Sequence, residues 1–247
     1  RVMTSLTLCR LSAGRTYTRK ELQSCLPDGA ASASNNAFSW ILKRELEAGR
    51  LHHVGRDTYS LDSASMKDTY THVLSEPAGN VLRRITAALP LVTVQIWETR
   101  QYNEFLNHQI GMNTIFLEAE KLFLDSVYEV LDRMPDVHVL VQPRIGDFLR
   151  YQKENTVVLI RCTSESPALK SNPHLPAIEK LLVDLKANRY LQAIVDQSEI
   201  GEVFSQAYAH YCVSTGTLRR YALRRTAWEK VEPYLPPEAA KREAGGR

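Results

Sequence analysis

Asn35, Asn36 and Ser39 precede Lys43 and Arg44 at spacings that set neutral hydrogen-bonding side chains at the start of one helix and cations further along it. An asparagine amide offers a donor and an acceptor on one edge. It can bond adenine bidentately in a DNA major groove, a pairing worth about 1–3 kcal/mol of discrimination. Lysine and arginine suit phosphate instead. Thr18, Arg19 and Lys20 open a second helix, where backbone N–H groups, the helix dipole and basic side chains together attract phosphate. Arg50 and Arg56 flank a glycine turn and suit minor-groove or phosphate contact. These ten residues are the candidate contacts to double-stranded DNA. The alternatives are a solvated helix face, an ordinary hairpin turn, or a surface that docks on protein.

A second basic group, Arg219, Arg220, Arg224 and Arg225, is interleaved with Leu218, Tyr221 and Leu223. Arg220 and Arg224 are four apart, as are Tyr221 and Arg225, so one helix would carry a basic ridge beside an apolar one. Such a ridge is either a second nucleic-acid surface or a set of partners for acids of its own domain.

Catalytic chemistry finds less support. A metal-dependent nuclease needs two or three carboxylates, often with a lysine, around one strand end. The nearest pieces are Glu98, Glu118, Glu120 with Lys121, and Asp184-Leu185-Lys186, the last inside a helical pattern. There is no G-x-x-x-x-G-K-[ST] loop, no G-x-G-x-x-G and no G-x-S-x-G elbow. The seven histidines form no H-x-x-x-H pair, and Cys9, Cys25, Cys162 and Cys212 lie far apart, as reduced thiols would. No catalytic residue, metal ligand or cofactor is assigned.

The elements that would position the candidate contacts follow from periodicity and punctuation. Met3 to Leu11 reads as a short helix ended by Gly14. Thr18 and Glu21 have capping-box spacing and start a second helix, Arg19 to about Cys25. Pro27-Asp28-Gly29 is a turn, after which Ser34 caps a third helix to Ala48, with Phe38, Ile41, Leu42 and Leu46 as its buried stripe and Gly49 as its stop. Arg50 to Val54 and Thr58 to Leu61 read as strands around a Gly55-Arg56-Asp57 tip. Three helices and a hairpin in that order predict a winged helix-turn-helix over residues 1–62.

Residues 63–79 read as a linker broken at Ser75-Glu76-Pro77. Residues 80–235 then alternate strands (Leu91 to Trp97, Thr114 to Leu117, His138 to Val141, Thr156 to Ile160) with a helix at Lys121 to Arg133. Helices follow at Ile178 to Leu185, Tyr190 to Asp196, Ile200 to Tyr211 and Leu218 to about Val231, and residues 236–247 read as a disordered tail. The fold class expected is α+β, a winged helix-turn-helix before a mixed α/β domain with a helical C-terminal part.

The 247 residues suffice for two modest cores, and a net charge of +3 confines any DNA affinity to a local patch. No apolar stretch approaches the roughly 18 residues of a membrane span, and no basic segment followed by a long apolar run opens the chain. A cytoplasmic protein is expected, its state as monomer or homodimer left open.

Thr16 to Leu22, Trp40 to Lys43, Gly49-Arg50-Leu51 and Tyr59-Ser60-Leu61 resemble the winged-helix domain of AbiEi-type antitoxins. Ile178 to Leu185 followed by Leu218 to Ala222 is similar to the C-terminal layout of that family, whereas Trp97-Glu98-Thr99 and Asn103 to Gln109 depart from it. The resemblance implies a repressor of its own operon that antagonises a nucleotidyltransferase-like toxin in a phage-defence system. The rivals are a nuclease targeted by a winged helix and a protein-interaction module of a defence complex.

Overall fold

The computed structural model describes residues 16–25, 35–55, 57–61 and 68–237. The helix expected at Met3 to Leu11, the Pro27 turn, the Ser34 cap, Arg56 and the tail beyond residue 237 lie outside them. The protein is mixed α/β, with two sheets in two compact units: residues 1–69 with 210–214, and residues 70–209 with 215–247.

In the first unit β1 (Thr16–Thr18) leads directly into α1 (Arg19–Ser24), which is followed by α2 (Asn35–Glu47), β2 (His52–Gly55) and β3 (Thr58–Ser60). Thr18 and Glu21 form the capping box, Thr18 Oγ1 accepting from Glu21 N–H at 3.2 Å and Glu21 Oε2 accepting from Thr18 N–H at 2.7 Å. α2 ends where its sequence says it must. Gly49 takes φ +65°, its N–H donates to Leu46 O, and Arg50 N–H donates to Glu45 O, the paired bonds of a Schellman stop. Phe38, Ile41 and Leu42 are buried with Tyr17, Leu22, Leu51 and Tyr59, and Leu46 is partly buried against them. The hairpin β2–β3 gains an edge that the sequence reading omits, because β1 pairs antiparallel with β3 to give the order β1-β3-β2.

The second unit holds a four-stranded sheet of order β4-β5-β7-β6, made of β4 (Val94–Glu98), β5 (Thr114–Ala119), β6 (Val139–Val141) and β7 (Thr156–Arg161). β4 is antiparallel to β5, while β5, β7 and β6 run parallel. Strand alternation sends Ile96, Ile115, Leu117, Val157 and Leu159 to one face, where α3 (Glu76–Ala88) and α4 (Leu124–Asp132) pack with Val81, Ile85, Val127 and Leu131. Trp97, Phe116 and Glu118 point to the opposite face. There α6 (Ile178–Ala187) and α7 (Arg189–Ile194) supply Lys180 and Tyr190. α5 (Ile145–Tyr151) adds Phe148 against Tyr190, and α8 (Ile200–His210) and α9 (Thr215–Arg224) complete the helical part with α10 (Trp228–Val231).

Three sequence boundaries move. The break read at Ser75-Glu76-Pro77 is the start of α3: Ser75 is its N-cap and Pro77 lies in its first turn, where the missing N–H would have had no intrahelical partner. Tyr70 is buried, its hydroxyl accepting from Gln101 Nε2, so the second unit begins at residue 70 rather than 80. The single helix expected from Leu218 to Val231 is two, because Thr226 adopts φ +48° and ends α9. Ala227 N–H donates back to Ala222 O there, an ending usually assigned to glycine. No described helix is long and apolar enough to cross a membrane.

Candidate nucleic-acid interface

Three of the predicted elements meet at Arg19 within the first unit. Its guanidinium donates from Nη2 to Ser39 Oγ on α2 at 2.7 Å and lies 5.2 Å over the Phe38 ring, while its backbone N–H donates to Asp57 O in the β2–β3 turn. Arg19 therefore ties the start of α1 to α2 and to the hairpin tip. Thr18 serves its cap and Lys20 is exposed. Asn35 opens α2.

The outward face of α2 carries Asn36, Trp40, Lys43 and Glu47 at i, i+4, i+7 and i+11. Trp40 is 57% exposed, and Arg44 lies 5.2 Å over its ring. Sequence reasoning passed over this indole; its place four residues after Asn36 and one before the buried Ile41 was the available signal. Lys43 Nζ is 3.7 Å from Glu47, both largely exposed, so its charge is only loosely engaged.

Arg44 and Arg50 sit differently from the phosphate-facing cations expected. Both converge on Glu45, which is 1% exposed: Arg50 Nε donates to Oε2 at 2.7 Å and Arg44 Nη2 to Oε1 at 3.1 Å. The Arg50 hydrogen bond outweighs the opposing effect of burial and holds the Glu45 carboxyl below its ordinary range. Half of the Arg50 side chain remains accessible. It can meet phosphate only while keeping Glu45 neutralised.

The C-terminal arginines divide between the two roles open to them. Arg220 is exposed, with Thr217 beside it, and Arg219 lies 5.5 Å over Trp228. Arg224 pairs with Glu165, and Arg225 is largely buried with Nη1 3.3 Å from Asp184. These last two serve acids of their own unit.

Arg225 belongs to a polar cluster buried between the sheet and the helical part. Lys180, fully buried, bridges Glu118 Oε1 at 2.6 Å and Asp184, and its ammonium lies 5.1 Å over the Trp97 ring. Trp97 Nε1 donates to the same Glu118 oxygen at 3.0 Å, and Tyr221 Oη contacts Asp184 Oδ1 at 3.3 Å. Burial opposes the lysine's charge, but Asp184 and Glu118 reverse this and hold its pKa above the ordinary lysine range. Burial pushes the Tyr221 phenol up to about 12. Two carboxylates and two cations balance here. Glu118 Oε2 finds no partner among the described residues.

The carboxylates weighed for nuclease chemistry thus separate. Glu118 and Asp184 meet, but around an ammonium; Glu120 is exposed; Glu98 lies in another network, accepting from Ser75 N–H at 2.9 Å, Ser75 Oγ at 2.5 Å and Asn113 Nδ2 at 2.8 Å. Among the described residues no group of three or more His, Cys, Asp or Glu side chains is arranged to hold a metal ion.

A family model described as a family of unknown function, DUF6577, matches residues 37–241. The chain belongs to the DUF6577 family. The match takes in most of α2, the hairpin β2–β3 and the second unit, so in this DUF6577 protein the helix that carries Trp40 and the cluster around Lys180 fall within the shared region. No curated protein matches the chain.

Proposed function

We propose that the first unit is a winged helix-turn-helix that reads double-stranded DNA, and that the protein is a sequence-specific transcriptional regulator. The observation that carries this reading is α2 itself. Its apolar side is anchored by Phe38, Ile41 and Leu42, and its outward side offers an amide, an indole and an ammonium in one row. A helix of that width fits the major groove, and the antiparallel hairpin that follows is the natural wing. Asn36 reads a base edge, Lys43 and Lys20 face phosphate, and Trp40 lies against thymine methyl or sugar.

The resemblance of Thr16 to Leu22 and of Ile178 to Leu185 to AbiEi-type antitoxins supports a narrower form: a cytoplasmic autorepressor whose functional partner is a nucleotidyltransferase-like toxin. The exposure of Trp40 favours one second reading, a protein-docking helix, since tryptophan is enriched at the centres of protein interfaces.

Selection of bound duplexes from a randomised pool tests the two readings. The wild-type protein is expected to enrich one motif, and Asn36→Ala to lose about 1–3 kcal/mol of preference at a single base position with its salt dependence unchanged. Failure of the wild-type chain to enrich any motif removes the DNA reading. Trp40→Ala then becomes the variant to follow in protein capture.

A further inference from the structure

The second unit contains a cleft of about 460 Å³ between α3, the segment joining α4 to β6, and the turn before β7. Its volume lies within the roughly 300–1,000 Å³ common to small-molecule sites. Met134 and Val137, both partly buried, give the cleft its apolar surface, backed by the buried Val81, Ile115 and Val157. The rim is polar and carries both signs of charge: Arg83 and Arg84 on α3, Asp136 and Glu154 across from them.

These charges share one cleft without pairing. Neither arginine has a carboxylate within ion-pair reach among the described residues, although two line the same cavity. Opposite charges that line one cleft without pairing favour an occupant that meets both. Arg83 is already positioned: it donates to Asn80 Oδ1 and lies along α3 beside Gly79, where a Cβ would come to 3.4 Å of its Nη1. On the far wall Asn155 is fixed with φ +60°, its N–H donating to Asn113 O and its Oδ1 accepting from Asn113 Nδ2 at 2.9 Å. Its amide N–H₂ has no partner among the described residues. Glu154 is held by Asn113 N–H at 3.0 Å, whereas Asp136 is exposed and uncommitted among the described residues.

An occupant complementary to this wall has one anion for the arginine pair, a flat body that lies on aliphatic side chains, and N–H or O–H donors for Asp136. Arginine matches phosphate in charge and geometry, and a carboxylate is the usual acceptor for ribose hydroxyls or exocyclic amines. We propose that the cleft is a mononucleotide site, with the phosphate on Arg83 and Arg84, the base against Met134 and Val137, and sugar or ring donors on Asp136. This is independent of DNA reading by the first unit.

The test is methyl-detected NMR of the full chain labelled at Met and Val, titrated separately with AMP, CMP, adenosine, inorganic phosphate and benzoate. Saturable shifts of the Met134 and Val137 methyls are expected with at least one monophosphate, with adenosine weaker by about tenfold or more for lack of the charge-assisted contact. The exposed double variant Arg83→Gln/Arg84→Gln is expected to lose a similar factor, and Asp136→Asn to weaken the monophosphate but not inorganic phosphate. Asn80→Trp is expected to fill the mouth and abolish binding at unchanged melting temperature. The proposal is overturned if neither monophosphate shifts these methyls at millimolar concentration, if the double arginine variant binds as wild type does, or if benzoate matches the monophosphates.

Discussion

Two helices of this chain carry a lysine four residues before an acid, Lys43–Glu47 on α2 and Lys180–Asp184 on α6, and the pairs could hardly differ more. The first is 3.7 Å apart with both side chains more than half exposed; the second has both side chains fully buried. Identical spacing thus guarantees only that the two groups can meet. What the meeting is worth depends on how much water has been removed: about 0.2–0.5 kcal/mol on an open helix face, against a large penalty for any buried charge left alone. Charge on α2 is available to a partner, whereas charge on α6 is consumed by the fold.

Lys180→Met should break this comparison most severely. It leaves Glu118 buried with only the Trp97 N–H, and a loss of about 3–5 kcal/mol is expected in urea unfolding. Adding Glu118→Gln should recover part of that loss; no change on either substitution would mean the cluster is wetter than its geometry requires.

Glu98 sharpens the contrast, being a buried acid partnered mostly by neutral donors. Burial alone would raise its pKa, but hydrogen bonds from His72, Ser75 and Asn113 lower it from 4.5 to about 2. Because the folded value is the lower one, the stabilisation is complete above pH 4.5 and is lost as pH falls through about 2. That amounts to about 3 kcal/mol. Unfolding midpoints measured between pH 6 and pH 2.5 should therefore fall less steeply in Glu98→Gln than in wild type.

The smallest stability effect is expected for Lys43→Ala, under about 0.5 kcal/mol; the proposed DNA reading adds a lower general affinity and a salt slope flattened by about one unit. A loss of stability near that of Lys180→Met would erase the distinction between the two pairs.

Much of the fold was legible because its signals are local. The capping box at Thr18, the stripe Phe38, Ile41, Leu42 and Leu46, and the stop at Gly49 each act within a turn or two of helix. The strands of the second unit also lay where β-branched runs put them. β1 was missed because three residues give no periodicity, and their strand character comes from Ser60, Tyr59 and Thr58 across the sheet. Pro77 was misread because a proline in a first helical turn looks like one that ends a helix. The site was harder. That Arg44 and Arg50 bind Glu45, or that Arg225 faces Asp184, depends on distances no spacing encodes. One clue was present: Lys180 and Asp184 stand four apart around Leu181-Leu182-Val183, a spacing at which the two side chains can meet, although only the structure buries the whole of Ile178 to Leu185.

The members of that enclosed cluster are scattered along the chain, and this bears on how the protein is made. Trp97 and Glu118 leave the ribosome on neighbouring strands, but the ammonium that neutralises Glu118 emerges only with α6, and Arg225 only after α9. Until then the nascent sheet holds a carboxylate on a face that should be dry, which disfavours early closure. Non-local contacts of this kind delay folding and leave apolar surface exposed in the interval. A premature stop before α6 would therefore act as a lesion in the centre of the sheet rather than the loss of peripheral helices, and such fragments should be substrates for chaperones and proteases.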